Sequence, residues 1–155
     1  MIVWRIAAES PSYTADDLTG RGAEQTGGRW NREGWPVVYA SASIALACLE
    51  TLVHLGDTLP LNRYLVEITI PDAAWDARAI FVPEDHVGWD AEPAGMTSLD
   101  WGTAWLRGGA TALAEVPSVI VPEEKNILIN PRHTDAVAIT ARKRRRFDYD
   151  RRFGS

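Results

Sequence analysis

A single cysteine, Cys48, stands in 155 residues, so no internal disulfide can form and a reducing compartment is expected. Histidine is nearly as scarce. His54, His86 and His133 lie far apart without metal-ligand spacing, which leaves a zinc site without support and no metal expected. No apolar run approaches the ~20 residues of a membrane-spanning helix, and the N-terminus carries no signal-peptide pattern. The expectation is a soluble, cytoplasmic protein with no membrane partner. An excess of positive charge is also missing: the formal net charge of −5 argues against direct nucleic-acid binding, which needs a basic face. The phosphate loop G-x-x-x-x-G-K-[ST] is absent, no G-x-G-x-x-G follows a strand, and Ser118 lacks the G-x-S-x-G setting of a hydrolase elbow.

What remains is an ordinary globular composition, 46% hydrophobic and 24% charged, long enough to bury a core without staples. No repeat, low-complexity tract or linker divides the chain, so residues 1–155 are read as one domain. Seven tryptophans are conspicuous: Trp4, Trp30, Trp35, Trp75, Trp89, Trp101 and Trp105. They fit core packing, a ligand pocket or a partner interface.

The hydrophobic pattern predicts an α+β fold, a mixed and mostly antiparallel sheet with flanking helices. Ile2 to Ala7 alternates as a strand, with Ile2, Trp4 and Ile6 on one face and Val3, Arg5 and Ala7 on the other. Residues 9–34 are rich in glycine and poor in aliphatics, an irregular stretch long enough to suggest function. Val37 to Ala40 reads as a short buried strand. Ser41 to Leu55 is the clearest helix, capped by Ser41 or Ser43, closed by Gly56, with His54 placed for its C-terminal dipole. Further strands are expected at Tyr64 to Ile70 and Ala79 to Val82, then a loop over Asp85 to Gly95. Thr97 to Leu106 is expected as a helix with Thr97 and Asp100 at capping-box spacing, and Ala110 to Glu115 as a further short helix. Val116 to Pro122 and Asn126 to Pro131 form a candidate hairpin, Ala136 to Thr140 another strand, and Arg142 to Arg152 a last edge strand with a charged outer face.

The candidate site centres on Gly27-Gly28-Arg29-Trp30-Asn31. Two glycines let a ligand approach the backbone, and the guanidinium that follows suits phosphate because its fork of donors binds two oxygens at once. Tyr39 lies on the next strand. Glu50 lies on the edge of the helix's apolar arc, with Ser43 and His54, and pairs with His54 or is held for chemistry. A guanidinium, a tyrosine and a carboxylate suit a phosphate-bearing ligand whose reaction develops positive charge. Cleavage of a nicotinamide–ribose bond is such a reaction.

Several motifs in order resemble the RES domain of bacterial toxins: Trp4-Arg5, Gly20-Arg21-Gly22-Ala23, Gly27 to Asn31, Val37-Val38-Tyr39, Ala45 to His54, Val116-Pro117-Ser118, Asn126 to Pro131, and Phe147 to Phe153. The family's name-giving Arg, Glu and Ser fall at Arg29, Glu50 and Ser118. The resemblance runs nearly end to end, weakest over Asp72 to Met96. It implies a fold similar to ADP-ribosyltransferases and the toxin role of a toxin–antitoxin pair. It also implies an Xre-family DNA-binding antitoxin as partner, and NAD as substrate with no further cofactor. NAD would be consumed by hydrolysis or by phosphorolysis with inorganic phosphate, or its ADP-ribose transferred to a protein. The implied site residues are Arg5, Arg29, Asn31 and Tyr39 for NAD binding. Glu50, Arg29, Tyr39 and Ser118 carry the chemistry. A reading from a different class, a non-catalytic partner-binding domain with a tryptophan interface, stays open at this point.

Overall fold

The computed structural model describes residues 1–53 and 58–154. Among them, seven strands form one sheet: β1 (Ile2–Ala8), β2 (Val38–Ser41), β3 (Arg63–Thr69), β4 (Ala79–Ile80), β5 (Leu113–Pro117), β6 (Lys125–Ile129) and β7 (Thr140–Arg146). Four α-helices flank it: α1 (Arg21–Thr26), α2 (Ile44–Leu52), α3 (Asp72–Asp76) and α4 (Met96–Gly108). The spatial order is β4-β5-β6-β2-β1-β3-β7, and every neighbouring pair is antiparallel except β4 with β5. The mixed, mostly antiparallel sheet expected from the sequence is the one found.

The period-two alternation sorts the side chains between two layers. On one face Val3, Val38, Ala40, Val66, Ile68, Leu113, Ile127 and Ile129 form the larger apolar cluster. The opposite face carries two clusters. One gathers Trp30, Val37, Phe81, Trp89, Leu106, Ala114, Val116 and Leu128, the other Ile6, Ala47, Leu65 and Tyr149. Helix α2 starts where Ser43 accepts the Leu46 N–H, a side-chain cap worth about 1 kcal/mol. Its expected end at Leu55 and Gly56, and the Glu50–His54 pair, fall outside the described residues.

Several expectations are corrected. The long irregular stretch contains α1, and Pro71 leads into α3, a five-residue helix that was not expected. Ala110 to Glu115 is not helical. It enters β5, whose residues are buried or half-buried on both faces and so show no alternation. The hairpin exists but sits earlier than expected on the β5 side, Leu113 opposite Ile129 to Pro117 opposite Lys125, because the chain turns at Ser118. There the Ser118 hydroxyl accepts the N–H groups of Ile120 and Val121. Ala136 to Thr140 is mostly a 3-10 turn (Thr134–Ala138), fixed at its start by the Asp135 N–H donating to His133 Nδ1. The Thr97–Asp100 capping box does not form: Thr97 donates to the Val87 carbonyl and Asp100 takes the Arg32 guanidinium.

The tryptophans are interior or half-buried. Trp30 meets Phe81 and Trp101 edge-on at centroid distances of 4.8 and 5.8 Å, and Trp105 donates to Thr111. None of the seven is exposed.

Candidate active site

Strand β2 organises the site. Tyr39 and Ser41, two residues apart, point to the face opposite Val38 and Ala40. In register beside them on β6 lie Leu128 and Asn126. Helix α2 starts three residues after β2 ends and brings Glu50 back over this row. The Glu50 Oε1 accepts from Ser118 Oγ at 2.7 Å and from Asn126 Nδ2 at 2.8 Å. Asn126 is held in turn, its Oδ1 accepting from Ser41 Oγ at 2.8 Å. Ser118 is fully buried, and the two N–H groups that it accepts fix its oxygen and leave its proton for Glu50. Both donors converge on one carboxylate oxygen. Among the described residues no hydrogen bond reaches Oε2. The arrangement is a negative charge locked in orientation with one oxygen facing away from its supports.

A second group surrounds Tyr39. Its hydroxyl donates to Asn31 Oδ1 at 2.6 Å and accepts the Trp30 N–H at 3.1 Å. Asn31 is fully buried, and its Nδ2 donates to the carbonyls of Ala23, Arg32 and Trp35. Burial pushes the Tyr39 phenol well above its ordinary pKa, against the smaller opposing effects of the Trp30 N–H and the Arg29 charge. The phenol therefore stays protonated, and its hydroxyl is a strut. The glycine pair is needed for this contact. Gly27 adopts φ +70°, and a Cβ on Gly28 would stand 2.7 Å from the Tyr39 hydroxyl. Asn31, expected either as an NAD ligand or as a structural residue of the turn, has its amide committed inside the protein, where it shapes the turn. Asn130 is likewise structural: its Oδ1 takes the Arg132 N–H and its Nδ2 reaches Leu106 O.

This geometry predicts that Tyr39→Phe lowers stability. Removing the hydroxyl strands the Asn31 carbonyl and the Trp30 N–H in the interior, at about 1–3 kcal/mol for a buried unsatisfied group. Chemical denaturation checks it: the midpoint falls while the slope stays constant.

Arg29 leaves the same turn toward the loop after β4. Its Nη1 donates to the carbonyls of Trp89 and Ala91 at 3.1 and 2.8 Å, and its Nη2 meets Glu92 at 2.7 Å. Arg5, whose place on the second face of β1 left it either solvated or aimed into a site, is a half-buried residue with its guanidinium buried. Lying between Val3 and Ala7, it belongs to the face opposite Tyr39 and Ser41, and it touches Tyr39 only through the backbone, Nη1 donating to the carbonyl at 3.1 Å. Its Nε is buried without a partner, and burial lowers its pKa, with Asp17 opposing. That position follows from a parting of strands. Strand β1 runs beside β3 from Ile2 to Ala8, yet pairs with β2 only where Trp4 faces Ser41. Beyond that point a cleft of about 480 Å³ opens, lined by Arg5 to Ala8, Gly20 to Ala23, Val37 and Arg63.

The structure thus joins Glu50 with Ser118, and Tyr39 with Asn31, while the Arg29 guanidinium is bonded to the loop after β4 and no hydrogen bond or ion pair connects Arg5 to Glu50. Asn126 was missed as a site residue. Its signal was available: it is the polar residue at the head of an apolar strand, in phase with Leu128. Among the described residues, no cluster of His, Cys, Asp and Glu is placed to hold a metal, and no helix is long and apolar enough to cross a membrane.

The RES domain family model matches residues 2–150. The chain belongs to the RES domain family. The Prs ADP-ribosylating toxin of Sphingobium sp. (strain YBL2) is 57% identical over 151 residues, covering 96% of this RES domain and 94% of that protein. Toxin Res of Yersinia enterocolitica is 41% identical over 135 residues, covering 86% of each chain. Among solved structures, the MbcT–MbcA toxin–antitoxin complex of M. tuberculosis shares the fold, with a TM-score of 0.65 at 17% identity over 92% of this RES domain and 81% of that chain.

Proposed function

We propose that this RES domain is the toxin of a toxin–antitoxin pair and that it breaks the nicotinamide–ribose bond of NAD. The observation that carries the reading is the Glu50 carboxylate, fixed through Oε1 by Ser118 and Asn126 with Oε2 unbound among the described residues. When the bond between the ribose C1′ and the ring nitrogen breaks, its electron pair leaves with nicotinamide and the ribosyl group becomes cation-like. A charge already oriented stabilises that state without reorganisation at the moment of reaction. The cation then takes an acceptor oxygen, whose proton is released. In this reading Arg29 supplies a planar fork for the pyrophosphate, and Arg5 lines a cleft on the other side of β2.

The acceptor decides the outcome for the cell. Water or inorganic phosphate would deplete NAD, and a protein side chain would receive ADP-ribose. The 57% identical relative named as a Prs ADP-ribosylating toxin favours the second fate for this chain. The relatives' names, and the complex of the structural neighbour, support an antitoxin partner; an Xre-type antitoxin is the expected kind.

Product analysis with NAD labelled in the adenosine half tests all of this. Release of nicotinamide is expected in every case. With purified Prs protein present, label is expected on that protein. Label that stays in free ADP-ribose, or in ADP-ribose 1″-phosphate when phosphate is added, would assign hydrolysis or phosphorolysis instead. No nicotinamide release under any condition would overturn the assignment of the site.

A further inference from the structure

The Arg29 guanidinium is satisfied before any substrate arrives, and its two ends are satisfied differently. Nη1 is fixed by the carbonyls of Trp89 and Ala91, backbone groups of the loop after β4. That loop is tied at a further point by Thr97 Oγ1 donating to Val87 O. Nη2 instead meets a side chain, the Glu92 carboxylate, at 2.7 Å. The arginine side chain is only 16% exposed, whereas that of Glu92 is 76% exposed. One end of the fork is thus held by the framework and the other is covered by an anion standing in solvent. A carboxylate on a guanidinium occupies the position and charge that a phosphate oxygen would take.

From this we infer that Glu92 is a displaceable cap on the phosphate-binding edge of Arg29, which the pyrophosphate of NAD must evict in order to bind. The inference rests on the reading of Arg29 as a pyrophosphate ligand and adds the residue that competes for it. The carbonyls of Trp89 and Ala91 keep the guanidinium oriented during the exchange, so only one ion pair has to open. Because Glu92 is mostly in water, that pair is weak, and the cap sets a modest threshold on affinity without blocking the site. It also screens the buried arginine from stray anions in the substrate-free protein. Glu92 lies within the middle of the chain, where the family resemblance is weakest, and nothing in its own surroundings requires a carboxylate for packing.

Calorimetric titration with ADP-ribose, which carries the pyrophosphate but no scissile nicotinamide bond, tests the cap. Glu92→Gln and Glu92→Ala are expected to bind ADP-ribose about two- to fivefold more tightly than the wild type, the range for loss of an exposed competing ion pair. Their melting temperatures are expected to stay at the wild-type value, since the three ties from Trp89, Ala91 and Val87 are untouched. Arg29→Ala is expected to weaken binding. Unchanged or weaker binding in both Glu92 variants, with Arg29→Ala still weakening it, overturns the cap and leaves Arg29 as a ligand. If Arg29→Ala binds as the wild type does, or if ADP-ribose binds none of the proteins, the phosphate role of Arg29 fails first and the cap with it.

Discussion

Glu50→Gln is expected to lower the rate of NAD cleavage by about 10²–10³, the range for removing one preorganised electrostatic group from a transition state. The substitution is unusually clean here. Ser118 and Asn126 both donate to Oε1, and a glutamine can present its carbonyl oxygen at that position and keep both bonds. Its amide nitrogen then replaces Oε2, which carries no hydrogen bond among the described residues. Shape and support survive while the charge is lost. Steady-state nicotinamide release, measured beside a thermal melt, separates the two: the rate should collapse and the melting temperature should hold. A variant that folds and turns over NAD at the wild-type rate would remove Glu50 from the mechanism.

A large effect on stability is also expected at Gly102, in the middle of α4. A Cβ there would land on the backbone carbonyl of Trp30, with the Trp30 Cα also only 3.0 Å away. Two effects oppose each other. Alanine favours a helix interior over glycine by about 1 kcal/mol. Overpacking against neighbours typically costs about 1–3 kcal/mol, sometimes more, and a backbone carbonyl cannot swing aside as a side chain can. The clash wins. Because the obstacle is backbone, the cost lies at the top of that range, and Gly102→Ala is expected to destabilise by about 2 kcal/mol net, which for a domain of this size lowers the melting temperature by about 4–8 °C. Moving α4 away would also stretch the bond from the Arg32 N–H to Thr103 Oγ1 and loosen the turn that carries Arg29. Activity should therefore fall with stability. A Gly102→Ala protein that melts at or above the wild-type temperature would mean that α4 does not press on Trp30 as described.

The sequence was informative where one local signal decides the structure. Helix α2 combines a capping serine with a broad apolar arc, and β1 and β3 alternate cleanly, so all three were legible. It misled where tertiary context decides. β5 has no alternation because both faces are covered, and Ala110 to Glu115 read as a helix. Ala136 to Thr140 looked like a strand by composition, yet Val137 is almost fully exposed, and the turn fixed by His133 prevails. The site divides in the same way. Arg29, Glu50 and Ser118 stood in an order that resembles the family's, and the structure bonds Glu50 to Ser118 while Arg29 bonds the loop after β4. The role of Asn126 was not visible, because it depends on a reach across from a neighbouring strand. The sequence did not foretell the side on which Arg5 lies, since the parting of β1 from β2 is a property of the sheet and not of either strand.

Glu50 meets Ser118 and Asn126 across 68 and 76 positions of the chain. A ribosome adds about 5–20 residues per second, so about 4–15 s separate the synthesis of Glu50 from that of Asn126. Contacts of such separation also form late in folding, after the loop between them has closed. The nascent polypeptide consequently passes through an interval in which most of it exists and its carboxylate has no partner to hold it. On the proposed reading, the carboxylate stays unsupported for at least that long in each new chain.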